Sequence, residues 1–183
     1  SNYVGQIENS IWCFSGGTVG LNFSSAPPTA FSHSFMAPQD CASISDQSGN
    51  LLFYTNGKTV WNSSHLIMSN GTGLNNSGFQ SVLIAKKPGS TVIYYIFTIS
   101  GGLTFPSLHY SVVDISLSSG SGSVTVKNFT VAQCYGFLSG TRHCNGNDYW
   151  IVTNDKNNSN FNTYLLSAAG LNSIAVVSSA GPI

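Results

Sequence analysis

Side chains that could carry catalysis are few in this sequence, and their spacing matches no common catalytic motif. The chain of 183 residues has six acidic residues and four histidines. The histidines lie far apart: His33, His65, His109 and His143. The sequence contains no HExxH motif, which would favour a metalloenzyme, and no GxSxG turn, which would favour a serine hydrolase. Asp46, Asp148 and Asp155 lie at or near predicted loops, and Asp46 and Asp148 fall at hairpin tips, where Asp commonly caps its own turn. The sequence therefore predicts a protein that is not an enzyme.

One loop places oxygen-bearing side chains at alternate positions, a pattern that can bind a hard cation. These side chains are Asp155, Asn157 and Ser159. Calcium prefers six to eight oxygen ligands, whereas this loop offers about three and has no closing Glu. A solvated, Asn-rich loop is the alternative interpretation. The three residues are a weak calcium candidate, and no other metal or cofactor is expected.

Two aromatic residues beside predicted loops are candidates for stacking on sugar rings. They are Trp61 and Tyr135, and Asp155 and Asn157 could supply polar groups to the same ligand. Trp150 lies in a strand pattern typical of a core, so burial is expected for it. We therefore take Trp61, Tyr135, Asp155 and Asn157 as the candidate ligand-binding residues.

Four cysteines form an even set without a CxxC pair, so a structural zinc site is not predicted. They are Cys13, Cys41, Cys134 and Cys144. Proximity in sequence favours disulfides between Cys13 and Cys41 and between Cys134 and Cys144. Four reduced, buried thiols are the alternative.

The composition excludes several classes of partner. Only 7% of the residues are charged, and six basic residues balance six acidic ones. Without a basic field, nucleic acid is not an expected partner, and nor is an anionic membrane surface. No apolar run approaches the roughly 18 residues of a membrane helix, so direct membrane insertion is not expected. Neutral polar side chains replace charge, which favours a secreted or cell-surface protein.

Strand patterns recur along the whole chain and predict an all-β fold. Aromatic strands end at Thr55, Thr98 and Thr153, and each follows a turn rich in Gly, Asn or Pro. Four-stranded antiparallel units at intervals of about 40–55 residues are typical of β-propeller blades. Three clear repeats and one degenerate copy are predicted, as blades at 11–37, 40–74, 79–131 and 138–179. If identical blades stack, Tyr54, Tyr95 and Trp150 should lie at equivalent points of successive sheets.

Two other architectures fit the same pattern. A β-sandwich with evenly spaced strands is the first. The second is an incomplete propeller, because a closed ring needs at least about four blades. We therefore expect residues 1–183 to be a single all-β domain or a fragment of a larger propeller.

A long string of motifs resembles a known group of proteins. It runs from Cys41 to Gly57, continues at Thr59–Asn62 and Met68–Leu74, and returns at Asn145–Trp150. These motifs resemble the N-terminal, propeller-like region of large secreted surface proteins of Bacteroidota. Such proteins often carry a C-terminal gliding-motility-type sorting domain that the type IX secretion system reads. The resemblance extends from about Trp12 to Val177 and implies export and surface attachment, with no known catalytic residues.

The expected function is a non-catalytic extracellular module for cell adhesion or for building a surface appendage. Other domains or copies of the same surface assembly are the expected partners. A carbohydrate-binding module is the first alternative, and a secreted polysaccharide hydrolase is the second. Because the sorting domain is not within these residues, the chain is expected to be a fragment or a processed form.

Overall fold

The computed structural model describes residues 10–14, 18–33, 40–77, 81–100, 106–156 and 158–179. These residues form an all-β structure, as predicted. The described part contains one short 3-10 helix, at Ser118–Gly120. None of its helices has the length and hydrophobicity to span a bilayer.

In the described ranges, sixteen strands form three hydrogen-bonded sheets. The N-terminal sheet contains β1 (Ile11–Cys13), β2 (Val19–Asn22) and β3 (Thr29–Ser32). The central sheet contains β4 (Ala42–Ser45), β5 (Leu51–Thr55), β6 (Thr59–Asn62), β7 (Ile67–Thr72), β8 (Val82–Lys86), β9 (Ile93–Ser100), β10 (Ser107–Asp114) and β11 (Ser123–Gln133). The C-terminal sheet contains β12 (Leu138–Arg142), β13 (Tyr149–Asn154), β14 (Asn160–Ser167), β15 (Gly170–Leu171) and β16 (Val176–Ser179).

The three hairpin tips predicted from turn residues are confirmed. Gly49, Gly89 and Gly146 have φ angles of 82°, 73° and 76°, between β4 and β5, β8 and β9, and β12 and β13. Glycine reaches this left-handed region without the steric cost that a Cβ atom imposes. These glycines therefore set where each first strand turns back into the aromatic second strand.

The strand pattern predicts one strand over residues 59–68, whereas the structure divides this segment between β6 and β7. The side-chain oxygen of Asn62 accepts hydrogen bonds from the backbone amides of Ser64 and Leu66, at 3.0 and 3.1 Å. His65 takes a positive φ of 62° in the same turn. Asn side chains commonly bind their own backbone in this way. The turn at Asn62 therefore ends β6 and gives this part of the chain a fourth strand.

The central sheet closes nearly into a barrel. Its strand order is β4-β5-β6-β7-β11-β10-β9-β8, and β4 lies beside β8 at the remaining gap. All neighbours are antiparallel except β7 and β11, which pair in parallel through Ser69 and Ser123. Lys127 supports this short junction, because its ammonium group donates to the Asn70 side-chain oxygen at 2.8 Å and to the Thr72 carbonyl at 2.7 Å. The barrel thus has two walls, β4–β7 and β8–β11.

Apolar side chains fill the space between the two walls. Phe53 and Val60 come from one wall, and Ile96 and Val113 from the other; all four are fully buried. The rings of Phe53 and Tyr94 meet edge to face, with centroids 5.4 Å apart. Such aromatic pairs add to the stabilisation that burial alone provides.

The two smaller sheets cover opposite outer faces of the barrel. Tyr54 packs outward with Cys13 and Phe31 of the N-terminal sheet. On the other side, Phe97 packs with Ile151 and Leu166 of the C-terminal sheet. Successive strand residues point to opposite faces, so each wall packs on both sides. The molecule is therefore a series of sheets packed face to face.

The aromatic residues of the second strands do not share one orientation. Tyr54 faces the N-terminal sheet, whereas Tyr95 faces the C-terminal sheet. Trp150 alternates with Ile151, which packs toward the barrel, so Trp150 points away from it. The expected equivalence of these three positions is therefore wrong. The reason is that β4–β7 and β8–β11 turn corresponding faces toward one shared interior.

Candidate functional site

The N-terminal sheet, the two walls of the barrel and the C-terminal sheet are four groups of strands, which we call the strand groups. The first strands of the four strand groups lie side by side. These strands are β1, β4, β8 and β12, and each is close to the next along the series. A cavity of about 660 Å³ opens beside β4, β8 and β12. We call it the first-strand cleft. Its volume is in the range typical of small-molecule sites.

Charged side chains enter the first-strand cleft from three successive strand groups. Lys86 ends β8, Arg142 ends β12, and Asp46 follows β4. Lys86 and Arg142 occupy corresponding positions in their strand groups, because each pairs with a tyrosine near the start of the second strand: Lys86 with Tyr94, and Arg142 with Tyr149. In a chain with six basic residues, two of them line this one cleft. The cleft therefore concentrates charge that is scarce elsewhere.

The guanidinium group of Arg142 is held by an aromatic neighbour. Its carbon lies 5.8 Å from the centre of the Tyr149 ring, and one nitrogen donates to the Tyr149 hydroxyl at 3.4 Å. A cation over an aromatic face is stabilised by the ring quadrupole. Tyr149 thus orients a planar group that can donate two parallel hydrogen bonds to a carboxylate or phosphate.

The carboxylate of Asp46 is used by its own turn. It accepts hydrogen bonds from the backbone amides of Ser48 and Asn50, at 2.8 and 2.9 Å, and from the Asn50 side chain at 3.0 Å. The Asn50 side chain is the largest cause of a lowered Asp46 pKa, and the backbone amides of the turn add to it. The expected capping role of Asp46 is confirmed. Asp46 is therefore a fixed acceptor at the rim of the cleft.

The structure does not bring all the predicted ligand residues together. Trp61 is half-buried and stacks on Tyr54 across β5 and β6, with centroids 5.6 Å apart and an interplanar angle of 10°. It packs on the side of the barrel that faces the N-terminal sheet. Tyr135 lies on the other side, where its amide donates to the Asn154 carbonyl at 3.0 Å. Trp61 and Tyr135 therefore cannot share one ligand site.

Tyr135 and Asp155 do lie at the same end of the C-terminal sheet, because Asn154 directly precedes Asp155. The side chain of Tyr135 is 60% exposed, as expected for a sugar-stacking residue. Asn157 lies outside the described residues. Ser159 is half-buried, next to the β14 strand. The calcium candidate Asp155, Asn157 and Ser159 stays a prediction. Within the described ranges, no three His, Cys, Asp or Glu side chains are grouped to hold a metal.

All four cysteines are thiols in the structure. Cys13 and Cys41 are neighbours, since the Cys41 thiol donates to the Cys13 carbonyl at 2.6 Å. Burial, followed by the nearby Cys41, raises the pKa of Cys13 to about 12. Cys134 is buried and Cys144 is exposed, at opposite ends of β12. The predicted Cys134–Cys144 disulfide is not formed, because a five-residue strand spans about 16 Å and a disulfide needs Cα atoms within about 7 Å.

A buried histidine lies between two hydroxyl groups near the ends of β9, β10 and β11. The Nε2 atom of His109 is 2.7 Å from Ser100 Oγ, and its Nδ1 atom is 3.1 Å from Thr130 Oγ1. In hydrolytic triads the third group is a carboxylate, whereas here it is a threonine hydroxyl. Burial lowers the pKa of His109 below its ordinary value of 6.5. The arrangement is that of a neutral histidine satisfied inside a sheet.

We expect His109 to make the protein less stable as the pH falls. The folded protein binds this proton less tightly than the unfolded chain does. The free energy of unfolding should therefore decrease as the pH drops from above 6.5 through the lower pKa of the folded state. Urea titrations at a series of pH values measure this decrease. The His109→Gln variant should lose part of the pH dependence, and the His143→Gln variant should keep it. Equal slopes in both variants would show that His109 does not contribute.

No protein family, curated protein or solved structure matches this chain.

The cleft residues Lys86 and Arg142 were missed by reasoning from motifs. A signal was nevertheless present in the sequence. Lys86 lies 12 residues before Thr98 and Arg142 lies 11 residues before Thr153, both just before the hairpin turn, and in strand register both lie opposite a tyrosine. Charged residues that coincide in this way are notable in a chain with 7% charged residues.

Proposed function

We propose that this chain is a non-catalytic module of a secreted surface protein assembly, and that it packs against further β-sheets at its two outer faces. The observation that carries the proposal is the exposure of aromatic side chains on the N-terminal sheet. Trp12, Phe14 and Phe23 are 51%, 41% and 44% exposed. The Trp12 ring lies 6.3 Å from Phe14 and 5.2 Å from Phe23, between centroids. Clustered exposed aromatics are typical of interaction surfaces.

The C-terminal sheet has a comparable outer face. Phe161 is 37% exposed and Val176 is 56% exposed. They belong to β14 and β16, which pair with each other, and strand alternation places both on the face opposite Tyr164 and Leu166, which pack toward the barrel. The two terminal sheets therefore each offer apolar area at opposite ends of the series of sheets.

The internal packing suggests how the outer faces are used. Within the chain, neighbouring sheets bury aromatic and aliphatic side chains against one another. A further antiparallel sheet at either end would extend the same packing. In this proposal the strand groups act as propeller-like blades, and another domain or another copy in the assembly supplies the next blade. The small number of charged groups lowers the desolvation cost of such contacts.

Extracellular location is part of the same proposal. The support is compositional, since the chain has 7% charged residues and zero net charge. The motif resemblance to Bacteroidota surface proteins is the further support. Adhesion or the building of a surface appendage would follow from sheet-to-sheet assembly.

Site-specific photo-crosslinking in the organism that makes the protein tests this proposal. A photoreactive phenylalanine analogue replaces Phe14 on one outer face or Val176 on the other. The matched control carries it at Phe129, whose exposure of 51% lies between those of Phe14 and Val176 but which lies on the central sheet, stacked on Tyr110. We expect adducts with surface proteins from positions 14 and 176 and few from position 129. Absence of adducts from both faces, or equal yields from all three positions, would overturn the proposal.

A further inference from the structure

We infer that the first-strand cleft binds an acidic saccharide, whose carboxylate lies between Lys86 and Arg142. This site is separate from the outer sheet faces, since none of the exposed aromatic residues of those faces lines it. It would make the protein a carbohydrate-binding module without making it an enzyme.

Charge is the first argument. Lys86 and Arg142 end two neighbouring strands, β8 and β12, that lie side by side. The third charged group, Asp46, accepts three hydrogen bonds from its own turn, which fix its carboxylate at the rim. Two cations and one carboxylate leave the cleft with one net positive charge, in a chain of zero net charge. An anionic group is the ligand that such a pair attracts.

Preorganisation is the second argument. Because Tyr149 holds the Arg142 guanidinium by a ring contact and a hydrogen bond, less side-chain entropy is lost when a ligand binds. A planar guanidinium fits both oxygens of one carboxylate, while the Lys86 ammonium adds a single point charge. The pair thus suits one carboxylate better than a dispersed negative surface.

The rest of the lining indicates a hydroxyl-rich body rather than a purely apolar one. Thr91 and Thr141 are exposed and bring hydroxyl groups to the cleft, and the half-buried Tyr149 ring lies beside them. Hydroxyl groups donate to and accept from sugar hydroxyls, and aromatic rings supply rigid contact area with a polar edge. A sugar that carries a carboxylate combines the two requirements.

Calorimetric titration of the folded chain tests this assignment. The probes are trigalacturonic acid, a neutral galactose trisaccharide of the same length, and inorganic phosphate. We expect binding of the acidic trisaccharide that weakens as salt is added, and much weaker binding of the other two. Phosphate binding of equal strength would mean that the cleft recognises charge alone and would overturn the saccharide assignment. Equal binding of the neutral trisaccharide would overturn the role of the carboxylate.

Matched variants locate the site. Arg142→Met and Lys86→Met keep the apolar stem of each side chain and should each weaken trigalacturonic acid about tenfold or more, as expected for a lost charge-assisted hydrogen bond. Arg142→Lys keeps the charge without the planar fork, so it should fall between wild type and Arg142→Met. Lys58→Met removes the same charge from the exposed β5–β6 turn and should bind like wild type.

Circular dichroism confirms folding of each variant. Failure of trigalacturonic acid to bind at millimolar concentration, or unchanged affinity in Arg142→Met and Lys86→Met, would overturn the inference. The photo-crosslinking result would be unaffected.

Discussion

Replacing Phe53 with alanine should lower the free energy of unfolding by about 3–5 kcal/mol, the range measured when a buried phenylalanine is truncated. Phe53 is fully buried between the two walls of the barrel. Its ring meets Tyr94 of the opposite wall edge to face, at 5.4 Å between centroids. The substitution removes apolar contacts and leaves a cavity that close-packed walls fill only in part. Urea denaturation followed by tryptophan fluorescence measures the loss.

Phe129 provides the matched control for Phe53, because it is the same residue type in the same sheet but is 51% exposed. Its ring stacks on Tyr110 at 4.9 Å, so Phe129→Ala should cost about 0.5–1.5 kcal/mol. A double variant of Phe53 and Tyr94 should lose less than the sum of the single losses, since the two rings are in contact. Similar losses for Phe53→Ala and Phe129→Ala would contradict a shared interior between the walls.

The strands and turns of this fold can be predicted from the sequence because they depend on local chemistry. Glycine at 49, 89 and 146 permits the left-handed turns, and β-branched and aromatic runs follow each of them. The hairpin turns and the all-β fold were predicted for this reason.

The packing of the sheets against one another is harder to predict from the sequence. Period-two alternation requires that Tyr94 and Tyr95 point to opposite faces, but it does not say which sheet covers either face. Residues 94–99 of β9 are buried on both sides, so no polar face marks the outside of that strand. Tyr54 and Tyr95 were therefore placed in equivalent positions, although they face opposite ends of the series of sheets.

The candidate sites were also predicted only in part, because they too depend on how the sheets pack. Trp61 was expected to be accessible because a loop follows it, yet its partner across β5 and β6 is Tyr54, which covers one face of the indole ring. Exposure of Tyr135 was anticipated correctly from its loop position. The first-strand cleft depends on β4, β8 and β12, which begin 40 and 56 residues apart in the chain, so Lys86 and Arg142 could be related only by aligning the strand groups.

A buried carboxylate joins the two walls of the barrel where β4 and β8 begin. Asp40 is 7% exposed, and its Oδ2 atom accepts a hydrogen bond from the Asn76 side chain at 3.1 Å. The Ser81 hydroxyl lies 3.0 Å from the same oxygen and 2.7 Å from the Asn76 side-chain oxygen. Asn76 and Ser81 are themselves buried. These three side chains therefore form a polar network that links the segment before β4 to the segment before β8.

We expect Asp40→Leu to destabilise the protein by about 3 kcal/mol, because each buried polar group left without a partner costs about 1–3 kcal/mol. Asp40→Asn keeps one acceptor oxygen and should lose less, which separates hydrogen bonding from charge. The control is Asp114→Leu, since Asp114 accepts hydrogen bonds from the backbone amide and the hydroxyl of Ser116 in a surface turn and its loss should cost under about 1 kcal/mol. Urea denaturation of the three variants gives the comparison. If Asp40→Leu costs no more than Asp114→Leu, the network does not hold the walls together, and the closure of the barrel at β4 and β8 must depend on the apolar interior alone.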